Sequence, residues 1–175
     1  MNKSELRQRL KAERLKLSTY WVQELSEKTA EQVLEILDLS SISSLHTYLP
    51  IEKQNEVDTW PFIKTVWNKD PQIKTATWHK PAEHYEPVWF DKIGFQEPVA
   101  KNFQFDLIIV PMVGFDDQLY RLGQGGGHYD RFLASQKKAL KVGFCYEFGH
   151  LASLPHEPHD VPLDMIITEK RQYKL

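Results

Sequence analysis

Short, continuously apolar segments separated by helical stretches are the feature that most restricts the fold of this chain. Three of them lie in its second half: FDLIIVP (105–111), LKVGFCY (140–146) and LDMIIT (163–168). Strands buried on both faces of a parallel sheet have this composition. Because helical patterns alternate with the apolar segments, the sequence predicts an α/β fold with a largely parallel sheet, in which LDMIIT is the last strand.

Spaced apolar residues predict two helices at the start of the chain. Leu6, Leu10 and Leu17 recur roughly as one helical face among Lys and Arg residues. A second helix is predicted from Ser18, because apolar or small side chains recur every three or four positions as far as Ile36. The sequence leaves open whether these helices pack on the sheet or stand slightly apart.

Two further strands and a third helix are predicted before the midpoint. The segments SSLHTYLP (43–50) and QIKTATWH (72–79) have strand composition. The helix between them is capped by Asp58 or Thr59, and a proline suits its first turn. Several prolines then punctuate residues 80–102, which are predicted to be irregular.

The composition indicates an ordinary globular enzyme or binding protein. The 175 residues are 41% hydrophobic and 26% charged, which fits one domain over residues 1–175. A formal net charge of −2 argues against general nucleic-acid binding. No run approaches 18 apolar residues, so no membrane span is expected. A charged N-terminus and the lone Cys145 favour a cytoplasmic location, and no obligate protein partner is evident.

A glycine-rich segment between an apolar strand and a helix near residues 129–137 is the strongest functional signal. Four glycines lie within five residues, at positions 123, 125, 126 and 127. Glycines let backbone N–H groups converge on an anion, and the N-terminus of the following helix adds partial positive charge. Arg121 supplies a planar fork for phosphate oxygens. In open α/β sheets, ligands bind in such loops at the carboxyl ends of strands.

Asp130, directly after the glycines, suggests a metal ion. A carboxylate beside a phosphate cradle is repelled by the phosphates unless Mg²⁺ lies between them. Glycine cradle, arginine and carboxylate together therefore indicate a Mg-nucleotide site. The structural alternative is a tight turn in which Asp130 caps the helix. The segment is not a Walker A loop, and His128 occupies the last glycine position of a G-x-G-x-x-G pattern.

The same segment resembles a known family signature. P-x-V-x-F-D at 111–116 and Y-R-L-G-x-G-G-G-x-Y-D-R-F-L at 120–133 are similar to the signature of 5-formyltetrahydrofolate cyclo-ligases, also called methenyltetrahydrofolate synthetases. Further matches are K-x-x-x-R at 3–7, E-V-D-T at 56–59 and the closing L-P-x-E-P-H-D-x-P-x-D at 154–164. Together these matches span nearly the whole chain in order.

The resemblance implies a fold and a reaction. The fold is a three-layer α/β sandwich similar to the ribose-phosphate isomerase and CoA-transferase group. The reaction is an ATP-dependent ligation: 5-formyltetrahydrofolate is cyclised to 5,10-methenyltetrahydrofolate, with release of ADP and phosphate. It proceeds through a phosphorylated formyl group, an iminium phosphate. ATP is a co-substrate and Mg²⁺ the metal cofactor.

The resemblance also implies roles for particular residues. Arg121 and Tyr129 are implied catalytic residues, and Asp130 and Asp164 are implied ligands of Mg²⁺. The ATP-binding residues implied are Lys3, Ser4, Glu5, Leu6, Arg7, Arg121, Leu122, Gly123, Gln124, Gly125, Gly126, Gly127, His128 and Tyr129. The folate-binding residues implied are Leu49 or Ile51, Glu56, Gln124, Gly125, Gly126, Gly127 and His128.

Other interpretations remain open at this point. A phosphosugar or CoA-ester enzyme of similar fold, or a non-catalytic folate or nucleotide-binding protein, would leave the Asp130 and Asp164 pair unexplained. His150, His156 and His159 fit no strong zinc pattern and are expected in loops. The aromatic pair Trp89 and Phe90 either belongs to the core or flanks a flat pterin ring.

Overall fold

The computed structural model describes residues 1–80 and 85–175. The helices are α1 (Lys3–Leu15), α2 (Thr19–Ile36), α3 (Trp60–Lys69) and α4 (His128–Ser135). The strands are β1 (Ser44–His46), β2 (Lys74–His79), β3 (Glu86–Phe90), β4 (Phe95–Pro98), β5 (Leu107–Pro111), β6 (Gly114–Asp116), β7 (Arg121–Leu122), β8 (Leu140–Phe144), β9 (His150–Leu151), β10 (Met165–Ile167) and β11 (Gln172–Tyr173).

A large, mostly parallel sheet forms the centre of the structure. Its strand order is β11-β10-β8-β5-β1-β2-β3-β4, and the five strands from β10 to β2 run parallel. Antiparallel strands complete both edges. A second, small sheet has the order β7-β6-β9. The predicted α/β fold with a mostly parallel sheet is confirmed.

Helices cover both faces of the central sheet, which explains why β5 is apolar throughout. Leu107 and Ile109 pack in the same cluster as Val33 of α2 and Phe62 of α3. Ile108 and Val110 pack on the other face, in a cluster that includes Leu133 of α4. Successive side chains of a strand point to opposite faces, so both sets must be apolar when both faces are covered.

The sequence left open whether the N-terminal helices pack on the sheet or stand apart. In the structure they pack on the body of the fold. Leu6 and Leu10 of α1 form a cluster with Val113, Leu122 and Leu154, against the small sheet. α2 lies beside α3, and Ser26 Oγ accepts a hydrogen bond from Asp58 N at 2.8 Å. α1 ends at Leu15, so Leu17 lies outside the helix, although it still packs against the main core.

Both capping candidates of α3 contribute, in different ways. Thr59 is the N-cap residue by position, but its hydroxyl donates to Tyr48 O. The side chain that accepts from the helix N-terminus is that of Asp58, whose Oδ1 lies 2.9 Å from Trp60 N. None of the helices in the described residues combines the length and apolarity that a membrane crossing requires.

Two sequence predictions about strands were wrong. Residues 80–102 are not irregular throughout, because β3 and β4 form an antiparallel extension of the sheet; residues 81–84 lie outside the described residues. Pro87 of β3 and Pro98 of β4 lie near the sheet edge, where a missing N–H is tolerated. The segment LDMIIT, which contains β10, is not the last strand, because β11 follows it and pairs with β10. Trp89 and Phe90 of β3 are buried core residues, 8% and 5% exposed.

Candidate active site

A cleft of about 500 Å³ opens where the parallel strands end. Pro111, the last residue of β5, lies in its wall, and the glycine loop and the N-terminus of α1 close over it. The lining residues are Lys3, Arg7, Ile51, Trp78, Tyr85, Pro111, Arg121, Gly123, Gln124, Gly125, Gly126, Gly127, His128, Tyr129, Asp130, Glu157, His159 and Asp160. The cleft therefore gathers most of the site residues that the sequence predicted.

Two features of the glycine loop require glycine. Gly125 and Gly127 have φ values of 108° and 64°, a left-handed region in which other residues are strained. A Cβ on Gly123 would lie 2.3 Å from Nη1 of Arg121, so a larger residue would displace that guanidinium. Arg7 Nε donates a hydrogen bond to Gly123 O at 2.8 Å, which ties α1 to the loop.

One half of the cleft is ionic. Arg121 Nη2 donates to Asp130 Oδ1 at 2.7 Å, and Lys3 Nζ donates to Asp160 Oδ2 at 2.5 Å. Burial alone would raise the pKa of Asp160, but hydrogen bonds from Lys3 and from the Glu157 N–H outweigh it and hold that pKa below its usual value. The Arg121 side chain is only 6% exposed, and its Nε has no hydrogen-bond partner among the described residues. The N–H group at Nε can therefore donate a hydrogen bond to an additional anionic partner.

The other half of the cleft is aromatic. The His128 ring lies 4.2 Å from the Trp78 ring and 5.5 Å from the Tyr85 ring, measured between centroids. Arg121 lies over the ring of Tyr129 at 5.6 Å. Burial raises the pKa of the Tyr129 phenol and lowers the pKa of His128, an effect that Arg131 reinforces. Both rings are therefore neutral at neutral pH, which suits contact with a flat heterocycle.

A fully buried histidine, His46, packs against the aromatic residues of this half. His46, at the end of β1, packs against Trp78 and Phe132 at centroid distances of 5.1 and 4.8 Å. Burial, together with the nearby His128, lowers the pKa of His46 to about 3. His46 is consequently an uncharged packing residue at any physiological pH.

Glu56 is hydrogen-bonded to Gln124 of the glycine loop and does not itself line the cleft. Its side chain is buried, with the residue 6% exposed. Oε1 accepts from Gln124 Nε2 at 2.8 Å, and Oε2 accepts from Ile51 N at 2.9 Å. The neighbouring backbone is held by the hydroxyl of Tyr48, which donates to Val57 O at 2.7 Å. The carboxylate is thus fixed in place, with a residue of the glycine loop as its side-chain partner.

The structure distinguishes Leu49 from Ile51, the two candidates for an apolar folate-binding residue. Ile51 lines the cleft and is 47% exposed. Leu49 packs instead against the buried cluster of Ile63, Trp67 and Phe90. Of the two, Ile51 has the side chain that a ligand in the cleft can reach.

Four of the predicted ATP-binding residues do not place side chains in the cleft. Leu6 and Leu122 are buried in the small cluster under the loop. Ser4 and Glu5 are exposed on α1, and the Glu5 carboxylate accepts from Asn2 N at 2.9 Å in a capping box. These residues position the backbone of α1 and the loop, whereas Lys3 and Arg7 reach the cleft.

Asp164 does not line the cleft that contains Asp130, its partner in the predicted metal pair. Asp164 Oδ2 accepts from Lys141 N at 2.7 Å, near the amino end of β8. The register places Lys141 opposite Ile108, three residues before Pro111 at the cleft. Three residues of strand correspond to about 10 Å. The carboxylate of the closing segment that lines the cleft is that of Asp160.

Sequence reasoning missed several lining residues. Asp160 and Glu157 belong to the closing segment, but only the tertiary structure shows which of its acidic residues faces the cleft. Trp78 lies near the carboxyl end of a predicted strand, the position at which ligand contacts are expected. Tyr85 falls in the region that was predicted to be irregular, where no pattern distinguished it.

The chain is similar to known proteins over nearly its whole length. Residues 1–169 match the model of the 5-formyltetrahydrofolate cyclo-ligase family. The 5-formyltetrahydrofolate cyclo-ligase of Mycoplasma pneumoniae is 31% identical, over 97% of this chain and 100% of its own length. The enzyme of the same name from Haemophilus influenzae is 24% identical, over 92% of this chain and 94% of its own length.

Solved structures show the same relationship. The 5,10-methenyltetrahydrofolate synthetase from Mycoplasma pneumoniae has a TM-score of 0.80 and 30% identity, over 97% of this chain and 99% of that one. The synthetase from Aquifex aeolicus has a TM-score of 0.77 and 30% identity, over 99% of this chain and 93% of that one. With a family match over nearly its full length and two such structural neighbours, the chain belongs to the 5-formyltetrahydrofolate cyclo-ligase family.

Proposed function

We propose that this protein converts 5-formyltetrahydrofolate to 5,10-methenyltetrahydrofolate at the expense of ATP, with release of ADP and phosphate. The observation that carries the proposal is the division of one cleft into an ionic and an aromatic half that share the glycine loop. A polyphosphate suits the first half and a flat pterin the second. The buried Cys145 thiol is compatible with a reducing compartment, and we propose the cytoplasm as the site of action.

The chemistry explains why ATP is needed. The N5-formyl group is an amide, so its carbon is a poor electrophile and its oxygen a poor leaving group. Transfer of the γ-phosphoryl group to the formyl oxygen gives an iminium phosphate. N10 of the same folate then attacks the formyl carbon and loses its proton, the C–O bond breaks, and phosphate departs as the ring closes. In phosphoryl transfer the protein contributes chiefly positioning and charge stabilisation.

Residues that line the cleft, together with Glu56 beside it, can be assigned to these tasks. Lys3, Arg7 and Arg121 would bind the phosphates, with Arg121 nearest the aromatic half because it lies over Tyr129. Glu56 would accept a hydrogen bond from an amino or ring N–H group of the pterin at Oε1, the oxygen that now accepts from Gln124, while Oε2 keeps its bond from Ile51 N. Ile51, Trp78, Tyr85 and His128 would enclose the ring.

The carboxylates of the cleft fit a Mg²⁺ ion that arrives with the nucleotide. Mg²⁺ is usually held by one or two carboxylates together with substrate phosphates and water. Asp130 and Asp160 line the ionic half, each beside a cation that the phosphates can take over. No group of three or more metal-binding side chains occurs in residues 1–80 and 85–175, which disfavours a site closed by protein alone. When bound, the ion would neutralise phosphate charge.

A direct assay tests the proposed reaction. Purified protein should form methenyltetrahydrofolate, followed by its ultraviolet absorbance, only when ATP and Mg²⁺ are both present. One mole of ADP should appear per mole of product. Equal conversion without ATP, or no conversion under any condition, would refute the proposal.

Replacing Ile51 should weaken folate binding without unfolding the protein. Ile51→Ala removes exposed apolar surface from the cleft, so the KM for folate should rise about 3–10-fold, which corresponds to a loss of roughly 1 kcal/mol. The matched control is Leu49→Ala, which should instead lower stability by about 1–2 kcal/mol with a smaller change in KM. Kinetics and thermal melts of both variants distinguish the two roles, and the reverse pattern would exchange them.

A further inference from the structure

Gln124 connects the glycine loop to the proposed folate carboxylate. It lies between Gly123 and Gly125, and its Nε2 donates to Glu56 Oε1 at 2.8 Å. The backbone at Glu56 is fixed: Tyr146 OH donates to Glu56 O at 3.3 Å, and the adjacent Val57 O accepts from Tyr48 at 2.7 Å. Of the two partners, the carboxylate is therefore the stationary one.

The other partner sits on an adaptable part of the chain. Gln124 is exposed, and the next residue, Gly125, has a φ of 108°. Arg7 Nε donates to Gly123 O, and Arg7 also lies 3.7 Å from the position that a Cβ on Gly125 would occupy. Arg7 lies in the ionic half of the cleft. A movement of the glycine loop at Gly125 would consequently change the position of the loop relative to Arg7.

The primary amide of Gln124 has the same hydrogen-bonding character as the pterin edge. Both present N–H donors to a carboxylate, and neither carries a charge. Glu56 Oε2 is already occupied by Ile51 N, so Oε1 is the oxygen at which the amide and an incoming pterin compete. Removal of a donor from a buried carboxylate is costly unless another donor replaces it. The exchange of one donor for the other is favourable only when folate arrives.

We propose that Gln124 is a placeholder on Glu56 whose displacement by folate prepares the glycine loop for the nucleotide. Folate displaces the amide, and the released amide then offers its N–H donors to the polyphosphate beside Arg7. Both ligands therefore favour the released state of the loop. Two ligands that favour the same state bind with positive coupling, which is equal in both directions. The inference rests on the proposed function and assigns a positioning role to Gln124.

Isothermal titration of the full-length protein measures this coupling directly. The probes are 5-formyltetrahydrofolate and, with Mg²⁺, the β,γ-methylene analogue of ATP, which cannot transfer its γ-phosphoryl group. In the wild type, the analogue should tighten folate binding by about 5–150-fold, the usual range for coupled sites. In Gln124→Met, which keeps the length but removes the donors, folate alone should bind as tightly as in the wild type or more tightly. The coupling should fall below about 3-fold.

A second variant and a control make the outcome specific. Gln124→Glu places a second carboxylate opposite Glu56, so it should also release the loop, while its charge weakens binding of the analogue. Gln118→Met, an exposed glutamine outside the cleft lining, should behave like the wild type.

Several outcomes would overturn the proposal. If Gln124→Met weakens folate binding without nucleotide, Gln124 supports Glu56 and is not a placeholder. If coupling persists in this variant, or is absent from a wild type that turns over folate, the loop does not link the two sites. If the wild type neither binds nor converts folate, the proposed function itself fails.

Discussion

Arg121→Lys is expected to lower kcat/KM for ATP by about 10²–10³-fold while the protein remains folded. Removal of one preorganised group that stabilises developing charge typically has an effect of this size. Arg121 is held by Asp130 at 2.7 Å, by the close approach of Gly123 and by the face of Tyr129. Lysine keeps the charge but loses the planar fork that binds two phosphate oxygens at once. The loss should therefore appear mainly in kcat.

The control for this substitution is Arg9→Lys. Arg9 is exposed on α1 and lies outside the cleft lining, so kcat/KM should stay within about 2-fold of the wild type, as for most surface substitutions. Steady-state kinetics with Mg-ATP and a thermal melt of each variant provide the measurement. An Arg121→Lys variant with near-normal kcat and an unchanged melting temperature would show that Arg121 has no catalytic part.

The elements that the sequence predicted correctly are those with a local signature. The apolar runs at β5 and β8 reveal strands because both faces are covered, and the structure places helices on both. The glycine loop was recognisable because its composition alone determines how backbone donors can approach an anion. Lys3 and Arg7 are four residues apart on one helix, so they reach the same cleft.

The features that the sequence did not predict depend on tertiary contacts. β3 and β4 contain prolines and pair antiparallel at a sheet edge, so they lack the continuous apolar pattern of the buried strands. Trp78 faces the cleft because strand alternation places it on the same face as Ala76, which packs in the α4-side cluster, and no local pattern shows which face α4 covers.

The closing segment shows the same limit for the proposed Mg²⁺ ligands. Asp160 and Asp164 are four residues apart in a segment without helix or strand periodicity. Leu154 N donates to Asp116 Oδ2 and Leu163 N donates to Leu119 O, and these two anchors set the path between them. That path brings Asp160 to Lys3 and carries Asp164 past the cleft to Lys141. Only the anchors decide which carboxylate faces the cleft.

Three Asp→Asn substitutions should divide into two classes on this basis. Asp130→Asn and Asp160→Asn should each raise the Mg²⁺ concentration needed for half-maximal activity by about 10–100-fold, because each removes a charged oxygen from the ionic half. The double variant should be far less than additive, since both changes disable one unit. Asp164→Asn retains an oxygen that can accept from Lys141 N. It should leave the Mg²⁺ requirement unchanged and alter stability by about 1 kcal/mol or less.

The measurement is a Mg²⁺ titration of ATP-dependent turnover for the four variants, with a thermal melt of each. Asn preserves side-chain shape, so loss of activity together with loss of folding would point to a structural role for the residue concerned. All three single variants remove one negative charge, and a general electrostatic effect would therefore shift all three titrations alike. An Asp164→Asn variant with a raised Mg²⁺ requirement and an Asp160→Asn variant without one would restore the pairing of Asp130 with Asp164. In that case the closing segment must rearrange when the nucleotide binds, because the present path holds Asp164 at the amino end of β8.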